Sequence, residues 1–376
     1  MVGRLRVCFC SRYPVASRSI PAVRNSAVRL VVLTVLLLFV GNSGSAAGAT
    51  GPAPQIGGTF LQLLDHHQEW SATEWSSLFD AFAAMQISKV VVQWSVSDDL
   101  AFYDSKTYRH GANPPLEIIL GLADSRGMKV SVGLWHDPGY WRNVAAPAQA
   151  VEVYLRRAML RASAIAAELA PLVTKHPSFD GWYISEEVDD TNWVQPERRR
   201  ILKEHLKSLS SSLHVLTPNA DVSLSCFSSG NMDPGSLEAF WKSVLTDSSI
   251  ERLMFQDGIG AHKLELEYLA PFLSAVKRAT AASGRSLVVI VEVFDQTGGP
   301  GRDDGLFSAV PAPLARIDRQ ITLAAEYATP DIVAFSVPEY MTPSAGEASR
   351  KLLEAYVRKY IKADSPRAAT QPAMLN

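Results

Sequence analysis

The sequence FDGWYISEEVDD, at residues 179–190, runs from an apolar, aromatic segment directly into two adjacent glutamates, Glu186 and Glu187. Holding several carboxylates together after a buried segment is unfavourable unless they form a solvated loop or work in a cleft. A further glutamate, Glu292, interrupts the apolar run SLVVIVEVF at residues 286–294. Two facing carboxyl groups can hydrolyse a glycosidic bond, because one protonates the leaving oxygen while the other attacks carbon or activates water. Glu187 and Glu292 are therefore candidate catalytic residues.

Eight short runs of β-branched and apolar residues could position such side chains, and segments with helical periodicity separate the runs. Alternating strands and helices are typical of parallel β/α units. Near-continuous hydrophobicity within each run indicates a sheet that is buried on both faces. The predicted strands cover residues 57–62, 89–94, 129–135, 179–185, 221–227, 252–258, 286–294 and 332–337.

Eight such units fit one (β/α)8 barrel better than two doubly wound domains, and no Pro/Gly/Ser-rich linker divides the chain. We therefore predict the α/β class, with a single (β/α)8 TIM barrel over residues 50–365 and a disordered tail at 366–376. Helical periodicity is evident at residues 74–85, 151–173, 198–213, 314–328 and 346–362.

Polar and aromatic residues gather at the C-terminal ends of the predicted strands, where TIM barrels place their active sites. The N-terminal ends carry ordinary charges and no aromatic cluster. Tryptophans at such a rim are suited to pack against sugar rings, although each one alone could equally be a core residue. We therefore predict a carbohydrate-binding cleft formed by Gln62, Gln93, Trp94, Trp135, His136, Asp137, Trp141, Tyr183, Glu186, Asp189, Trp193, Gln256, Asp257 and Glu339.

Strand alternation favours Glu187 over Glu186 as the inward-facing carboxylate. If Glu187 points into the barrel, Tyr183 does too, and the bulkier Trp182 lies under the helices. The opposite parity would crowd Trp182 into the barrel interior. For Glu292 the alternative is a structural ion pair, which is less expected for a carboxylate that ends a run of five apolar residues.

The first 49 residues contain six arginines and no acidic residue, then the apolar run LVVLTVLLLFV and the triplet Ala47-Gly48-Ala49. This order of segments is typical of a secretory signal peptide. The apolar run is shorter than the roughly 20 residues that span a bilayer. An uncleaved anchor is the alternative, since the basic part is long. We predict cleavage near Ala49 and a periplasmic or secreted protein, with no stable membrane insertion after cleavage.

Removing this segment leaves 30 basic residues against 38 acidic ones, a net charge near −8. An acidic chain argues against nucleic acid or an anionic membrane as the partner and is compatible with a polysaccharide or oligosaccharide. Cys8 and Cys10 lie in the signal segment, so only Cys226 remains. No intramolecular disulfide is then possible, and we interpret Cys226 as a core residue.

The motifs GTFLQ, VVVQW, GMKVSVGLW, FDGWYISEEVD, FQDGIG and VEVF occur in this order between residues 57 and 343. With Trp193 they resemble the bacterial "domain of unknown function 4434" family, which is similar to TIM-barrel glycoside hydrolases. The resemblance implies a carbohydrate-related role, with an acid/base glutamate after strand four and a nucleophile glutamate after strand seven, the places of Glu187 and Glu292. Glu186 departs from this pattern, because many such hydrolases have asparagine directly before the acid/base.

The leading hypothesis is a retaining glycoside hydrolase that acts on a polysaccharide, with its two carboxyl groups roughly 5–5.5 Å apart. A non-catalytic carbohydrate-binding or exopolysaccharide-export accessory protein would use the same cleft. A metal-dependent hydrolase built on His136, Asp137 and Asp257 is disfavoured, because no H-x-H or HExxH motif lies at a strand end. Without a glycine-rich phosphate loop after a strand or a redox motif, we predict no cofactor and no metal.

Overall fold

The computed structural model describes residues 54–303, 305–329 and 331–362. The predicted signal segment and tail lie outside these residues. Eight parallel strands close into a barrel in sequence order, with the last strand pairing with the first, which confirms the single TIM barrel. The strands are β1 (Gly58–Leu61), β2 (Lys89–Val92), β3 (Lys129–Gly133), β4 (Phe179–Val188), β5 (Asp221–Cys226), β6 (Arg252–Gln256), β7 (Ser286–Glu292) and β8 (Ile332–Phe335).

One long helix follows each strand and packs on the outside of the barrel. Local signals fix several of the starts: Ser71 and Glu74 form a capping box at the first helix, and Asp233 caps the fifth, directly before Pro234. The helices are α1 (Ala72–Ala84), α2 (Leu116–Arg126), α3 (Ala148–Val173), α4 (Pro196–Leu216), α5 (Pro234–Thr246), α6 (Leu266–Ala282), α7 (Leu314–Ala325) and α8 (Glu347–Tyr356). Within the described ranges, no helix is both long and apolar enough to cross a bilayer.

Strand β4 alternates as its sequence suggests through its first half. The indole of Trp182 lies under the helix layer and donates to Thr217 Oγ1, just after α4, at 2.7 Å. Tyr183 lies in the barrel interior, where its ring contacts Phe60 of β1 at 5.5 Å between centroids. A small hydroxyl partner, Ser225 Oγ, lies 2.6 Å from the Tyr183 hydroxyl. The apolar interior therefore supports the end of the strand from below.

The second half of β4 bulges. Ile184 pairs with Leu224 of β5, but the next pair joins Val188 to Cys226, so four steps along β4 match two along β5. The extra residues include Glu186 and Glu187, and the strand runs to Val188 rather than ending at residue 185 as predicted. A bulge re-aims side chains, so both glutamates can lie near the barrel mouth despite being adjacent.

Two small sheets extend the barrel mouth, and neither was predicted. A three-stranded sheet joins Val96–Ser97, Leu100–Ala101 and Trp135–His136, which follow β2 and β3. A hairpin joins Phe294–Gly298 to Ser308–Pro311 after β7. These sheets order the loops that carry several of the candidate residues.

Candidate active site

A small cavity lies at the barrel mouth, beside the C-terminal ends of β2, β3 and β4. Its volume is about 40 Å³, which is room for roughly three water molecules. Eight of the sequence-predicted residues line it, together with aromatic and serine side chains from the same loops. The lining is Gln93, Trp94, Trp135, His136, Asp137, Pro138, Tyr140, Trp141, Tyr154, Ser185, Glu186 and Glu187.

Glu187 is buried and points across the mouth towards β6. Its Oε1 accepts a hydrogen bond from Gln256 Nε2 at 2.7 Å, and its backbone carbonyl accepts one from the Tyr140 hydroxyl at 2.7 Å. Burial raises the pKa of Glu187, while the nearby Lys263 ammonium and the Gln256 hydrogen bond act in the opposite direction. Glu187 is therefore a positioned carboxyl group whose pKa is raised above its usual value.

Glu292 ends β7 on the other side of the mouth and is only 1% exposed. Its Oε2 accepts a hydrogen bond from the Ala261 backbone N–H at 2.7 Å, whereas Oε1 has no hydrogen-bond partner in the described part of the chain. Gly260 makes this approach possible, because a Cβ there would lie 2.4 Å from the Phe294 carbonyl oxygen. Burial and the neighbouring Asp257 carboxylate raise the pKa of Glu292 to about 8.

Lys263, in the loop after β6, is a site residue that sequence reasoning missed. Its ammonium lies 3.1 Å from the centroid of the Phe227 ring. It interacts electrostatically with Glu187 and Glu292 and with the two aspartates after β4, and burial lowers its pKa. One cation is thus shared by both candidate catalytic glutamates. The only sequence signal was its place, a few residues beyond the FQDGIG motif.

Glu186 lines the cavity beside Glu187, but its Oε1 has no hydrogen-bond donor among the described residues. The closest cationic-type group is His205 of α4, whose Nε2 lies 3.7 Å away and is also without a partner. Burial raises the pKa of Glu186 to about 7 and lowers that of His205 to about 4. Near neutral pH the imidazole is therefore uncharged.

The four predicted rim tryptophans differ in exposure. Trp94 and Trp135 line the cavity but are only 3% and 9% exposed, and their indole N–H groups donate to the backbone carbonyls of Leu63 and Asp98. Trp141 also lines the cavity and is half-buried. Trp193 is fully buried, lies outside the cavity lining and presents no surface to a ligand. Trp141 is thus the best placed of the four to contact a sugar.

Two predicted site residues, Asp137 and Asp189, accept hydrogen bonds mainly from groups in their own loops. Asp137 accepts hydrogen bonds from the Gly139 N–H, the Asn143 amide and the Tyr154 hydroxyl. Asp189 accepts from the Thr191 and Asn192 N–H groups and from the Asn192 side chain. Such saturated carboxylates shape turns, so their contribution to the site is to hold the loops after β3 and β4.

Asp190 was not assigned a function from the sequence, and it ties two loops of the mouth together. It is fully buried and accepts four hydrogen bonds from the segment after β5, including 2.6 Å from Ser228 Oγ and 2.9 Å from the Asn231 N–H. This network joins the C-terminal ends of β4 and β5.

Three predicted residues, Gln62, Asp257 and Glu339, lie around the mouth but not in the cavity lining. Gln62 donates to Gln93 Oε1 at 2.7 Å and so supports the cavity from the side of β1. Asp257 accepts from Gln320 Nε2 at 2.6 Å, and Glu339 accepts from the Ser336 hydroxyl after β8. His136 stacks on Trp94 with 4.3 Å between ring centroids, and burial lowers its pKa to about 4.

The described residues contain no group of three or more His, Cys, Asp or Glu side chains arranged to hold a metal ion. His136 and Asp137 line the cavity, whereas Asp257 is hydrogen-bonded to α7 on the side of β7. The three residues of the metal-dependent alternative are therefore not brought together.

A model of the family described as "Domain of unknown function (DUF4434)" matches residues 56–347. The uncharacterized protein YbcH of Escherichia coli (strain K12) is 29% identical over 270 residues, which are 69% of this chain and 82% of that protein. The family model and this relative therefore both match the chain over most of the barrel.

Two solved structures have the same fold. A putative alpha-L-fucosidase from Bacteroides thetaiotaomicron superposes with a TM-score of 0.66 at 18% identity, covering 83% of this chain and 98% of that one. The endo-beta-1,4-mannanase from Thermotoga petrophila superposes with a TM-score of 0.54 at 15% identity, covering 84% and 79%. The barrel is thus of the kind found in glycoside hydrolases, and at such identities the likeness concerns the fold.

Proposed function

The chain belongs to the family described as "Domain of unknown function (DUF4434)", and from this premise we propose that it is an exported glycoside hydrolase. In this proposal it cleaves a polysaccharide by a retaining mechanism, with Glu187 as acid/base and Glu292 as nucleophile. The names of the structural neighbours, a putative fucosidase and a mannanase, agree with this class of reaction. The linkage and the sugar are left open.

One observation carries the proposal. Two buried glutamates end β4 and β7, on opposite sides of one barrel mouth, and each has one oxygen held by a specific donor. Glu292 Oε2 is fixed by a backbone N–H while Oε1 has no hydrogen bond. A carboxylate with one oxygen anchored and the other unengaged is suited to attack an anomeric carbon.

In the proposed reaction Glu187 donates its proton to the glycosidic oxygen as the bond to the leaving sugar breaks. Glu292 Oε1 bonds to the anomeric carbon and forms a glycosyl-enzyme. Glu187, now ionised, then takes a proton from water as the water oxygen displaces Glu292. Two inversions give net retention, and the carboxyl groups are expected to lie roughly 5–5.5 Å apart when substrate is bound.

Lys263 acts electrostatically on both candidate catalytic glutamates. A nucleophile must be ionised, yet burial and Asp257 raise the pKa of Glu292 to about 8. The Lys263 ammonium opposes this effect and favours the carboxylate. We propose that Lys263 is a positioning residue for both glutamates, since its ammonium lowers the pKa of each while burial raises the pKa of each.

A second function is favoured by a specific observation. Glu292 is almost completely buried and does not line the cavity that contains Glu187. A non-catalytic carbohydrate-binding or exopolysaccharide-export accessory protein would bind sugar at the cavity and leave Glu292 covered. The hydrolase requires the loop that carries Gly260 and Lys263 to move when substrate binds.

Export is part of the proposal and is supported by the order of basic, apolar and small residues before residue 50. We expect the periplasmic or secreted protein to begin near Thr50, as measured by intact mass spectrometry. Recovery of the chain with Met1 retained would contradict this expectation.

The decisive experiment is a screen of the mature protein against bacterial and plant polysaccharides, with detection of released oligosaccharides and of the anomer formed first. Glu187→Gln and Glu292→Gln are the test variants. Glu267→Gln, which removes a surface carboxylate on α6 that pairs with Arg319, is the matched control. Retained activity in both test variants contradicts the hydrolase, and binding without any product favours the accessory protein.

A further inference from the structure

The cavity at the barrel mouth is lined by three carboxyl groups, those of Asp137, Glu186 and Glu187, and by no lysine or arginine. Its one histidine, His136, is uncharged near neutral pH because burial lowers its pKa to about 4. Arg161 lies over the Trp135 ring at 4.6 Å but is not part of the lining. An anionic sugar such as a uronate would therefore meet no cationic partner in this cavity.

The three carboxyl groups differ in how many hydrogen bonds they accept from the protein. Asp137 accepts three hydrogen bonds from its own loop and α3, and Glu187 accepts one from Gln256. Glu186 is 8% exposed, and its Oε1 has no donor in the described residues. A hydrogen bond from its own backbone N–H favours the Glu186 carboxylate, but a buried oxygen without a donor is costly, so Glu186 is the group in the cavity that a ligand could stabilise most.

The ion-pair partner that the structure shows for Glu186 is His205, whose imidazole is uncharged near neutral pH. The titratable groups that face it are His205 from α4, Tyr154 from α3, Tyr183 from β4, and Asp137 and Tyr140 from the loop after β3. His205 is the one base among them, and burial lowers its pKa to about 4. Lys263 interacts electrostatically with Glu187, Glu292, Asp189 and Asp190. None of these groups balances an ionised Glu186 near neutral pH.

The shape and walls of the cavity indicate what kind of cation would fit. A volume of about 40 Å³ admits a substituent and not a whole sugar ring. The walls include Trp94, Tyr140 and Trp141, whose aromatic faces attract an ammonium group. A primary ammonium has three N–H donors and is close in size to one water molecule, so it suits a narrow, carboxylate-lined pocket.

We propose that this cavity binds the protonated primary amine of an amino sugar, with the Glu186 carboxylate as its counter-ion. The substrate class is then a glycan with free amino groups, and the amine-bearing ring packs at the rim against Trp141. This inference rests on the proposed function for the identity of the ligand as a sugar, but binding through Glu186 does not require turnover.

Binding is coupled to proton release. Burial raises the pKa of Glu186 to about 7, so the empty cavity holds a proton on Glu186 below that pH. An ammonium ligand favours the ionised carboxylate and lowers this pKa. Affinity should therefore increase as the pH rises through about 7, and should fall again where the sugar amine itself loses its proton.

The test uses matched ligands that differ in one substituent. Methyl glycosides and β-1,4-linked tetrasaccharides of glucosamine, glucose and N-acetylglucosamine carry an amine, a hydroxyl or an acetamide at C2. Calorimetry and NMR titration with the Glu292→Gln variant measure binding without turnover. We expect the amine to bind about 10- to 100-fold more tightly than the hydroxyl, the range for a charge-assisted hydrogen bond. Equal or weaker binding of the amine in both sets overturns the inference.

A second arm identifies the counter-ion. Glu186→Gln, added to the Glu292→Gln background, should reduce the preference for the amine to less than about threefold and remove the increase in affinity as the pH rises through about 7. Asp99→Asn, which removes an exposed carboxylate paired with Arg109, is the matched control and should keep the preference. A preference that survives in Glu186→Gln overturns the role of Glu186. Amine-selective binding with no hydrolysis of any glycan would refute the proposed hydrolase while supporting this inference.

Discussion

Charges are paired at one end of the barrel and crowded at the other. At the N-terminal end, Arg252 of β6 bridges Asp180 of β4 at 2.5 Å and Asp221 of β5 at 2.6 Å. Lys89 of β2 meets Asp331, just before β8, at 2.6 Å. These pairs join the beginnings of neighbouring or nearby strands, and each acid has a cation in contact.

Among the described residues, the C-terminal end has more buried carboxylates than cations, which include Lys263 and Arg316. Lys263 is shared by Glu187, Glu292 and the two aspartates after β4, and the histidine that faces Glu186 is uncharged at neutral pH. Burial raises the pKa of Glu186 to about 7 and that of Glu292 to about 8. Paired charges stabilise a barrel, whereas unbalanced buried charges cost stability, so the second arrangement indicates function.

The largest expected effect is a loss of hydrolytic activity on substitution at the C-terminal end of the barrel. Glu292→Gln should reduce hydrolysis by at least about 10³-fold, because the amide neither attacks carbon nor carries charge. It should also stabilise the fold. Since the folded-state pKa of about 8 lies above the unfolded value, the wild type loses stability as the pH rises towards 8, by up to about 1.4 kcal/mol per unit.

Thermal unfolding of wild type and Glu292→Gln between pH 5 and 8 checks the stability part. The advantage of the variant should grow as the pH rises across this window. A variant that is less stable than wild type at pH 8 would mean that Glu292 is a satisfied structural ion pair, which was the alternative from sequence.

The second effect is a loss of stability on substitution at the N-terminal end of the barrel. Arg252→Met leaves Asp180 and Asp221 facing each other without their cation, and should cost about 1–3 kcal/mol in the free energy of unfolding. Activity per folded molecule should not change. Arg350→Met, which removes exposed pairs on α8, is the control and should cost less than about 0.5 kcal/mol in urea unfolding. Equal costs would contradict the distinction between the two ends.

The third effect is a shift in pH dependence. Asp257 is ionised near pH 8, since its own pKa is raised only to about 6, and its charge raises the pKa of Glu292. Asp257→Asn should therefore move the acidic limb of kcat/KM to lower pH by roughly one unit. The ¹³C carboxyl shift of Glu292 reports the same ionisation without turnover. A limb that moves to higher pH would show that Asp257 is not the charge that controls Glu292.

The barrel could be predicted from sequence because its signals are periodic and local. All eight predicted strands overlap the observed ones, since parallel strands buried on both faces read as apolar runs between helices. The short sheets after β2, β3 and β7 could not be found in this way. A strand of two residues such as Trp135–His136 carries too little pattern to be recognised.

The site was harder to predict because it depends on local departures from periodicity. Strand alternation correctly predicts the directions of the Trp182 and Tyr183 side chains. It does not predict those of Glu186 and Glu187, because the strand bulges after Ile184. Lys263 resembles any loop lysine in the sequence, and only tertiary contacts bring it to the glutamates. The solvent exposure of side chains could not be predicted from the sequence either. Trp193 follows the end of a strand and yet is fully buried.

The smallest effect tests which aromatic side chain of the mouth meets the ligand. Trp94 is 3% exposed and donates a hydrogen bond to the Leu63 carbonyl at 2.7 Å, so Trp94→Ala should destabilise the fold, by about 3–5 kcal/mol. Trp141 is half-buried at the cavity, and its ring contacts Phe227 at 5.6 Å. Trp141→Ala should weaken glycan binding by about 1–2 kcal/mol with a smaller loss of stability. Calorimetric titration combined with melting curves checks both variants. Unchanged binding in Trp141→Ala would mean that the glycan approaches from another side, because a platform that loses its ring surface cannot keep its contacts.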